Sequence, residues 1–299
     1  MSNIKKNTAV FLLTILVIFA CKKSENTTVD ESYVKGKATI YVDESLLPIV
    51  EDQEMVFESK YQKAAITLIP KSDSDIVNLL LQRKIDIAVL SHELSKTQED
   101  KLKAIDVIGK NTPFCSDAIA LIVKTGNSKT SITTSEIYDV LKGKNTSVQF
   151  VFDNENSSTL SYLLDKANVK SLSKSVTALK NNLEVIKFVS ENNNSIGFVG
   201  VNWLLNPSIE LESTIKKVKV LEVGASGKKA VKPTQSYIET KEYPFIRKIY
   251  LLNYQGRTGL GMGFASFVKS EVGQRITLKS GLAPTKIPTR EIRLIKNNK

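Results

Sequence analysis

The 299-residue sequence predicts an α/β fold of two lobes, each a mostly parallel sheet flanked by helices. Three observations point there. From Lys37 onward, short apolar runs of strand character alternate with segments of helical spacing, the signature of a parallel sheet covered on both faces. A second alternating series begins near Thr112. The chain is also longer than a single hydrophobic core usually serves. No internal repeat is present.

"ATIYVDES" reads as a strand that breaks into polar residues at Asp43, Glu44 and Ser45. A helix follows, with Ile49, Val50, Val56, Phe57 and Tyr61 near helical spacing. "AAITLIP" is the next strand; "KSDSDIVNLLLQRK" supplies N-cap residues before an apolar face of Ile76, Leu79 and Leu80. "IDIAVLS" is a strand ending at "SHELS". In the second series "DAIALIV" and "VQFVFD" are strands, "TSEIYDVLKGK" and "SSTLSYLLDKA" helices, and "SVTALKNNLEVIKFVSEN" a longer helix leading to the strands "IGFVG" and "KKVKVLEV". "GASGKKAVKPTQ" has the composition of a mobile connection. "FIRKIYLLNY" is a returning strand, and "FASFVKSEVGQRITLKSG" one closing helix with Phe264, Phe267 and Val268 inward, stopped by Gly281 and Pro284. The expected organisation is a leader over 1–20, a tether over 21–36, the first lobe over 37–111 and 236–290, the second lobe over 112–235, and a basic tail over 291–299.

The leader sets the compartment. Lys5 and Lys6 precede an apolar run from Ala9 to Ala20, too short for a good membrane span, and a polar segment follows. "VIFAC" resembles a lipobox, which makes Cys21 the lipidation site and the protein membrane-anchored without spanning, in the cell envelope facing the periplasm or exterior. Cys115 is then left without a partner and reads as a buried structural thiol. One histidine and no paired cysteines give no metal site, and no cofactor is indicated. The net charge of +11 comes from scattered lysines and arginines without interleaved aromatics, a solvated surface with a mild attraction for anions and not a nucleic-acid interface. The glycines of "GRTGLGMGF" lack the second strand and downstream acid of a dinucleotide fingerprint and read as a flexible loop.

In open α/β sheets ligands lie beyond the carboxyl ends of strands. Four such ends are polar: Asp43, Glu44 and Ser45; Ser72 and Ser74; Ser91 and His92; and Asn156, Ser157, Ser158 and Thr159. Each precedes a helix start, where unpaired N–H groups and the dipole favour an anion, although each taken singly also serves as a plain cap. A serine hydrolase would need His92 beside a nucleophile such as Ser158, and "NENSSTL" lacks the glycine-flanked elbow. Asp43 and Glu44, as adjacent strand residues, point to opposite faces, a poor start for acid–base chemistry.

With these junctions in place the chain resembles the phosphate ABC transporter substrate-binding protein family, of the periplasmic-binding-protein-like type II fold. "ATIYVDESLLPIVEDQEMVFESKY" looks like its opening strand and helix, "LLLQRKIDIAVLSHELSKTQE" like its strand ending in a serine-containing turn, and "ALIVKTGN" with "SITTSEIYDVLKGK" like the crossover into the second lobe. "NENSSTLSYL" resembles its Ser-Gly-Thr turn, "NSIGFVGVNWL" and "YPFIRKIYLLNY" its later strands, and "FASFVKSEVGQRITLKSGLAP" its closing helix. The resemblance implies a monomeric, non-catalytic receptor that closes around phosphate or a related oxyanion and delivers it to an ABC permease. A same-fold binding or sensory lipoprotein without a transporter is the alternative. It implies ligand donors at Ser157, Thr159, Ser45 and Ser72 or Ser74, with Ser158 in place of the family's glycine. Three departures stand out: the family's phosphate-contacting arginine corresponds to Asp153, its proton-accepting aspartate to His92, and the first loop carries Asp43 and Glu44. Exchanging a cation for an anion 4 Å from the ligand reverses about 4 kcal/mol at an effective dielectric near 20, unless another cation compensates; Lys71 and Arg83 are the candidates nearest in sequence.

Overall fold

The structure, a computed structural model, describes residues 31–289 apart from Asn206. The leader, Cys21, most of the tether and the basic tail lie outside the described residues.

The first series runs β1 (Lys35–Asp43), α1 (Leu47–Lys60), β2 (Lys63–Lys71), α2 (Asp73–Leu81), β3 (Ile87–Leu90) and α3 (Lys96–Lys103). A single 3-10 turn, Glu44–Leu46, joins β1 to α1. Then come β4 (Lys110–Lys124), β5 (Ser131–Thr133), α4 (Thr134–Leu141), β6 (Gln149–Phe152), α5 (Ser158–Ala167), β7 (Val176–Ala178), α6 (Asn182–Glu191) and β8 (Ser195–Gly200). The chain continues through α7 (Asn202–Leu205), α8 (Ile209–Ile215), β9 (Val218–Val220), β10 (Glu222–Gly224) and α9 (Gln235–Glu239). It closes with β11 (Ile246–Asn253), α10 (Leu260–Lys269), α11 (Glu271–Lys279) and β12 (Ala283–Pro284).

The two lobes share one continuous sheet in the order β2-β1-β3-β11-β4-β8-β6-β7, with β9 and β12 added at β4. The outer pairs, β1 with β2 and β3, and β6 with β7 and β8, are parallel as expected. The middle is antiparallel, because β4 and β11 carry the chain in opposite senses between the lobes. β4 spans 15 residues, and its stretch Ala118–Val123 is fully buried, as a strand covered on both faces requires.

Several elements depart from expectation. The long helix is shorter: Val176–Ala178 pairs as β7, and the helix starts only at Asn182, capped by the Asn181 side chain on the N–H of Glu184. The closing helix is two, α10 and α11, broken at Ser270, whose hydroxyl caps the second on Gly273. The connection "GASGKKAVKPTQ" is pinned by a bridge between Val223 and Val231. The glycine-rich stretch is half helix, and Gly263 sits so close to the backbone that a Cβ there would come within 1.7 Å of the Tyr33 oxygen. Close packing explains that glycine without any phosphate.

Phe57 of α1 packs edge-on against Phe264 and Phe267 of α10 at 5.4 and 5.2 Å, closing the core over the first half of the sheet. Phe152 stacks on Phe198 at 4.5 Å in the second half. Gln53, also buried in α1, donates to the Gly273 carbonyl at 2.8 Å and so ties α1 to α11. Cys115 is buried, with its thiol pushed up by burial and by Asp117. Among the described residues no helix is long and apolar enough to cross a membrane. Phe57→Ala is expected to cost about 3–5 kcal/mol by denaturant unfolding, since a buried aromatic leaves a cavity its neighbours fill only in part; a loss below about 1 kcal/mol would contradict this packing.

Candidate functional site

The ends of β1 and β6, the middle of β4 and the start of β11 meet where the two lobes face each other. Arg247 of β11 lies at their centre, 2% exposed. It follows the inward phase set by Tyr243, Phe245 and Ile249, which places a guanidinium where an apolar side chain would normally go. Its Nη2 donates to Asp117 Oδ2 of β4 at 2.7 Å, and Asp117 is fully buried. Burial pushes the Asp117 carboxyl up and the guanidinium pulls it back; Asp117 in turn holds Arg247 above its ordinary value against burial. A guanidinium cannot lose its proton in a protein, and its charge 2.7 Å away favours the ionised form of Asp117.

The other amino group of Arg247 faces three hydroxyls. Nη1 donates to Ser158 Oγ at 2.9 Å and to Ser45 Oγ and Thr159 Oγ1 at 3.2 Å each. Ser45 comes from the turn after β1, while Ser158 and Thr159 open α5, whose first N–H groups lack intrahelical partners. Ser45 Oγ and Ser158 Oγ are 3.3 Å apart across the lobes. The turn holding Ser45 sits so tightly on the end of β8 that a Cβ at Gly200 would meet the Ser45 carbonyl at 2.7 Å. Trp203 Nε1 donates to that same carbonyl at 3.2 Å.

Carboxylates surround this group. Asp43 is buried and accepts from the Ser45 N–H at 3.1 Å; burial pushes its carboxyl up and Asp73 adds to that, with Arg247 opposing. Asp153, at the end of β6, is fully buried and lies 3.4 Å from the Asn182 amide. Burial raises it to about 6, against a hydrogen bond from Ser157. Glu44 reaches across the lobes to the start of α6, accepting from the Asn182 N–H at 3.1 Å and from its Nδ2 at 2.5 Å. Burial, then Asp153, raise Glu44 to about 8. At the rim His92 bonds Asp73 through Nε2 at 2.9 Å and the Glu93 carbonyl through Nδ1 at 2.8 Å. Burial alone would lower His92; the Asp73 hydrogen bond and charge lift it to about 9.

Of the residues expected from sequence, Asp43, Ser45, Ser158 and Thr159 come together around Arg247. Ser157 turns its oxygen to the Leu160 N–H at 3.1 Å and is the N-cap of α5. Ser72 likewise caps α2, on Asp75. The Ser74 N–H donates to the Asn156 carbonyl at 3.5 Å, a contact between lobes, while the Asn156 side of the turn is exposed. Ser91 is half-buried at the end of β3. Neither cation suggested by sequence proximity is central: Arg83 pairs with Asp86 at 2.8 Å, and Lys71 is exposed. Arg247, Asp117 and Asn182 were missed. The signal for Arg247 was an arginine on the apolar phase of "YPFIRKIYLLNY". No Ser–His dyad forms, because both His92 nitrogens are engaged elsewhere and Ser158 bonds Arg247 and Ser45. No group of three or more His, Cys, Asp or Glu among the described residues is placed to hold a metal ion.

A family model described as a PBP superfamily domain matches residues 23–272. The phosphate-binding protein PstS of Borreliella burgdorferi is 24% identical over 291 residues, 91% of this chain and 95% of that protein. A solved structure assigned as a phosphate ABC transporter substrate-binding protein with bound phosphate, from Clostridium perfringens, superposes with a TM-score of 0.72 at 20% identity, covering 84% of this chain and all of that one. An ABC-type phosphate transport receptor from Vibrio cholerae gives 0.63 at 17% identity, covering 83% of this chain and all of its own. At these identities the structural likeness establishes the fold.

Two measurements check the electrostatics. His92 is the single histidine of the chain, so its imidazole resonance is expected to titrate near 9 and to fall toward about 6.5 in Asp73→Asn. Its folded-state value is raised, so the pair's stabilisation is complete below about pH 6.5 and fades as pH rises toward about 9. Asp117→Asn, which leaves Arg247 buried without its counter-ion, is expected to lose about 3–5 kcal/mol of unfolding free energy, whereas Asp117→Leu with Arg247→Met is expected to lose less.

Proposed function

The chain belongs to the PBP superfamily, and from that premise we propose that it is a solute-binding lipoprotein capturing phosphate or a related oxyanion for an ABC import system, without catalysis. Its likeness over most of its length to proteins named for phosphate binding supports the ligand class. The observation that carries the reading is the convergence of Ser45 from one lobe and Ser158 and Thr159 from the other on the Arg247 guanidinium.

That group has what an oxyanion needs. A guanidinium offers planar, always-charged donors, hydroxyls donate without adding charge, and the start of α5 adds unpaired N–H groups and a favourable dipole. Arg247 supplies the cation that Asp153 removes from the α5 turn, so the charge comes to the same place from a different strand. The ion pair with Asp117 orients the guanidinium and keeps Nη1 toward the hydroxyls. Since Ser45 and Ser158 touch across the lobes, an oxyanion reaches them when the β1 turn and α5 part while β4 and β11 stay paired, and closure then surrounds it. Attachment through Cys21 would hold this receptor at the membrane beside its permease.

Micromolar capture needs about 8 kcal/mol net, and charge-assisted hydrogen bonds supply roughly 1.5–3 kcal/mol each. Calorimetric titration with phosphate at low salt is therefore expected to give saturable heat. Ser158→Ala should weaken it by about tenfold or more, and Arg247→Lys, which keeps the charge and loses the planar fork, by at least as much. Absence of heat with phosphate, arsenate and sulfate alike would sink the oxyanion reading.

A further inference from the structure

The residues just before β1 are fixed to one face of the first lobe. Glu31 pairs with Arg257 in the loop before α10, and the Tyr33 carbonyl packs against Gly263 of α10 so closely that a Cβ would not fit between them. Cys21 stands ten positions before Glu31, and ten residues reach at most about 35 Å when fully extended. A chain attached through Cys21 therefore meets the folded body beside Arg257, and this face is held near the membrane.

The same face carries a groove. Two cavities, of about 290 and 350 Å³, share Lys110, Asn253 and Met262 and so form one trough between the start of β4 and one stripe of α10. Arg257 lines one part and Lys269 the other, and among the described residues no carboxylate lines either. Lys110 and Lys269 are exposed and, among the described residues, paired with no acid. The acids that touch the lining are engaged, Glu31 on Arg257, and Glu93 and Glu99 on the Asn111 amide. Ile108, 73% exposed, stands at the rim. The groove lies far from the cleft along the same two strands. Lys110 pairs with Asn253 and Asp117 with Arg247, six residues apart on β11, or about 20 Å at the rise of a strand.

We propose that this groove is where the protein rests on the membrane, with Lys110 and Lys269 holding the phosphate of an anionic phospholipid headgroup and Ile108 entering the interface. The inference takes its nearness to the membrane from the anchored-lipoprotein reading above and takes nothing from the ligand of the cleft. Basic side chains close to an anionic leaflet gain from its negative surface potential, and an ammonium is a compact point charge suited to a headgroup phosphate. An apolar side chain beside them gains by leaving water. Docking here leaves the cleft, at the other end of the strand pair, open to solute.

Cosedimentation of the leaderless, unacylated chain, residues 22–299, with lipid vesicles at low salt is the test. The chain is expected to pellet with phosphatidylglycerol vesicles and to stay in solution with phosphatidylcholine. Lys110→Glu together with Lys269→Glu should weaken the association about tenfold or more, and Lys110→Gln with Lys269→Gln by a smaller factor. The same charge reversal at Lys142 and Lys170, exposed lysines of the second lobe, should change it by less than about threefold. All these variants are expected to unfold over the same denaturant range as the unaltered chain. Equal losses from the two reversals, or no association of the unaltered chain with phosphatidylglycerol, overturn the docking face. Association that follows Lys110 and Lys269 in a protein silent toward phosphate overturns oxyanion capture and leaves the docking face standing.

Discussion

Everything at the meeting of the lobes depends on one buried ion pair, Arg247 with Asp117. Two charges removed from water are tolerated only with good geometry and further hydrogen bonds, and this pair has both, through the 2.7 Å contact and three hydroxyls on the remaining amino group. The two residues lie on β4 and β11, paired antiparallel with Arg247 opposite Asp117 itself. These strands are also the route by which the chain passes between lobes. The charge is thus mounted on the common spine of the molecule, and the hydroxyls are brought to it by the lobes on either side.

This placement changes what closure means. When the cation sits on a loop of one lobe, it moves with that lobe. Here the guanidinium is mounted on β11 beside β4, and Ser45 and α5 reach it from the turns on either side. Glu44 on Asn182, Trp203 on the Ser45 carbonyl and Ser74 on the Asn156 carbonyl all join the two sides. The first of these puts a carboxyl group on the opening turn of α6, where unpaired N–H groups and the dipole welcome it. These contacts, at 3.1, 3.2 and 3.5 Å, are individually modest ties between the two sides.

The fold was legible where the pattern had one explanation. Alternation from β1 to α3, and from β6 to β8, gave parallel units because apolar strands such as β3 and β8, buried on both faces, alternate with helices that have one apolar face. The sequence misled where two elements shared one apolar run: β7 with α6, and α10 with α11, where only the caps at Asn181 and Ser270 mark the break. At the site, Ser45, Ser158 and Thr159 stood out as candidates because hydroxyls gather at strand-to-helix junctions, although the same junctions also supply caps, as Ser157 and Ser72 do. Deciding that Ser157 caps while Ser158 faces inward needed the helix phase. Arg247 was out of reach of motif reasoning, since it is remote in sequence from the junctions it serves. Its strand phase was the only sign, and an inward arginine among Tyr243, Phe245 and Ile249 deserved that reading.

An aspartate at position 153, at the end of β6, then has a consistent physical account. With Arg247 on β11, an arginine there would place a second buried positive charge close to it, and the two would repel. An aspartate there instead helps hold Arg247 charged, since Asp43 and Asp153 both contribute to its raised value.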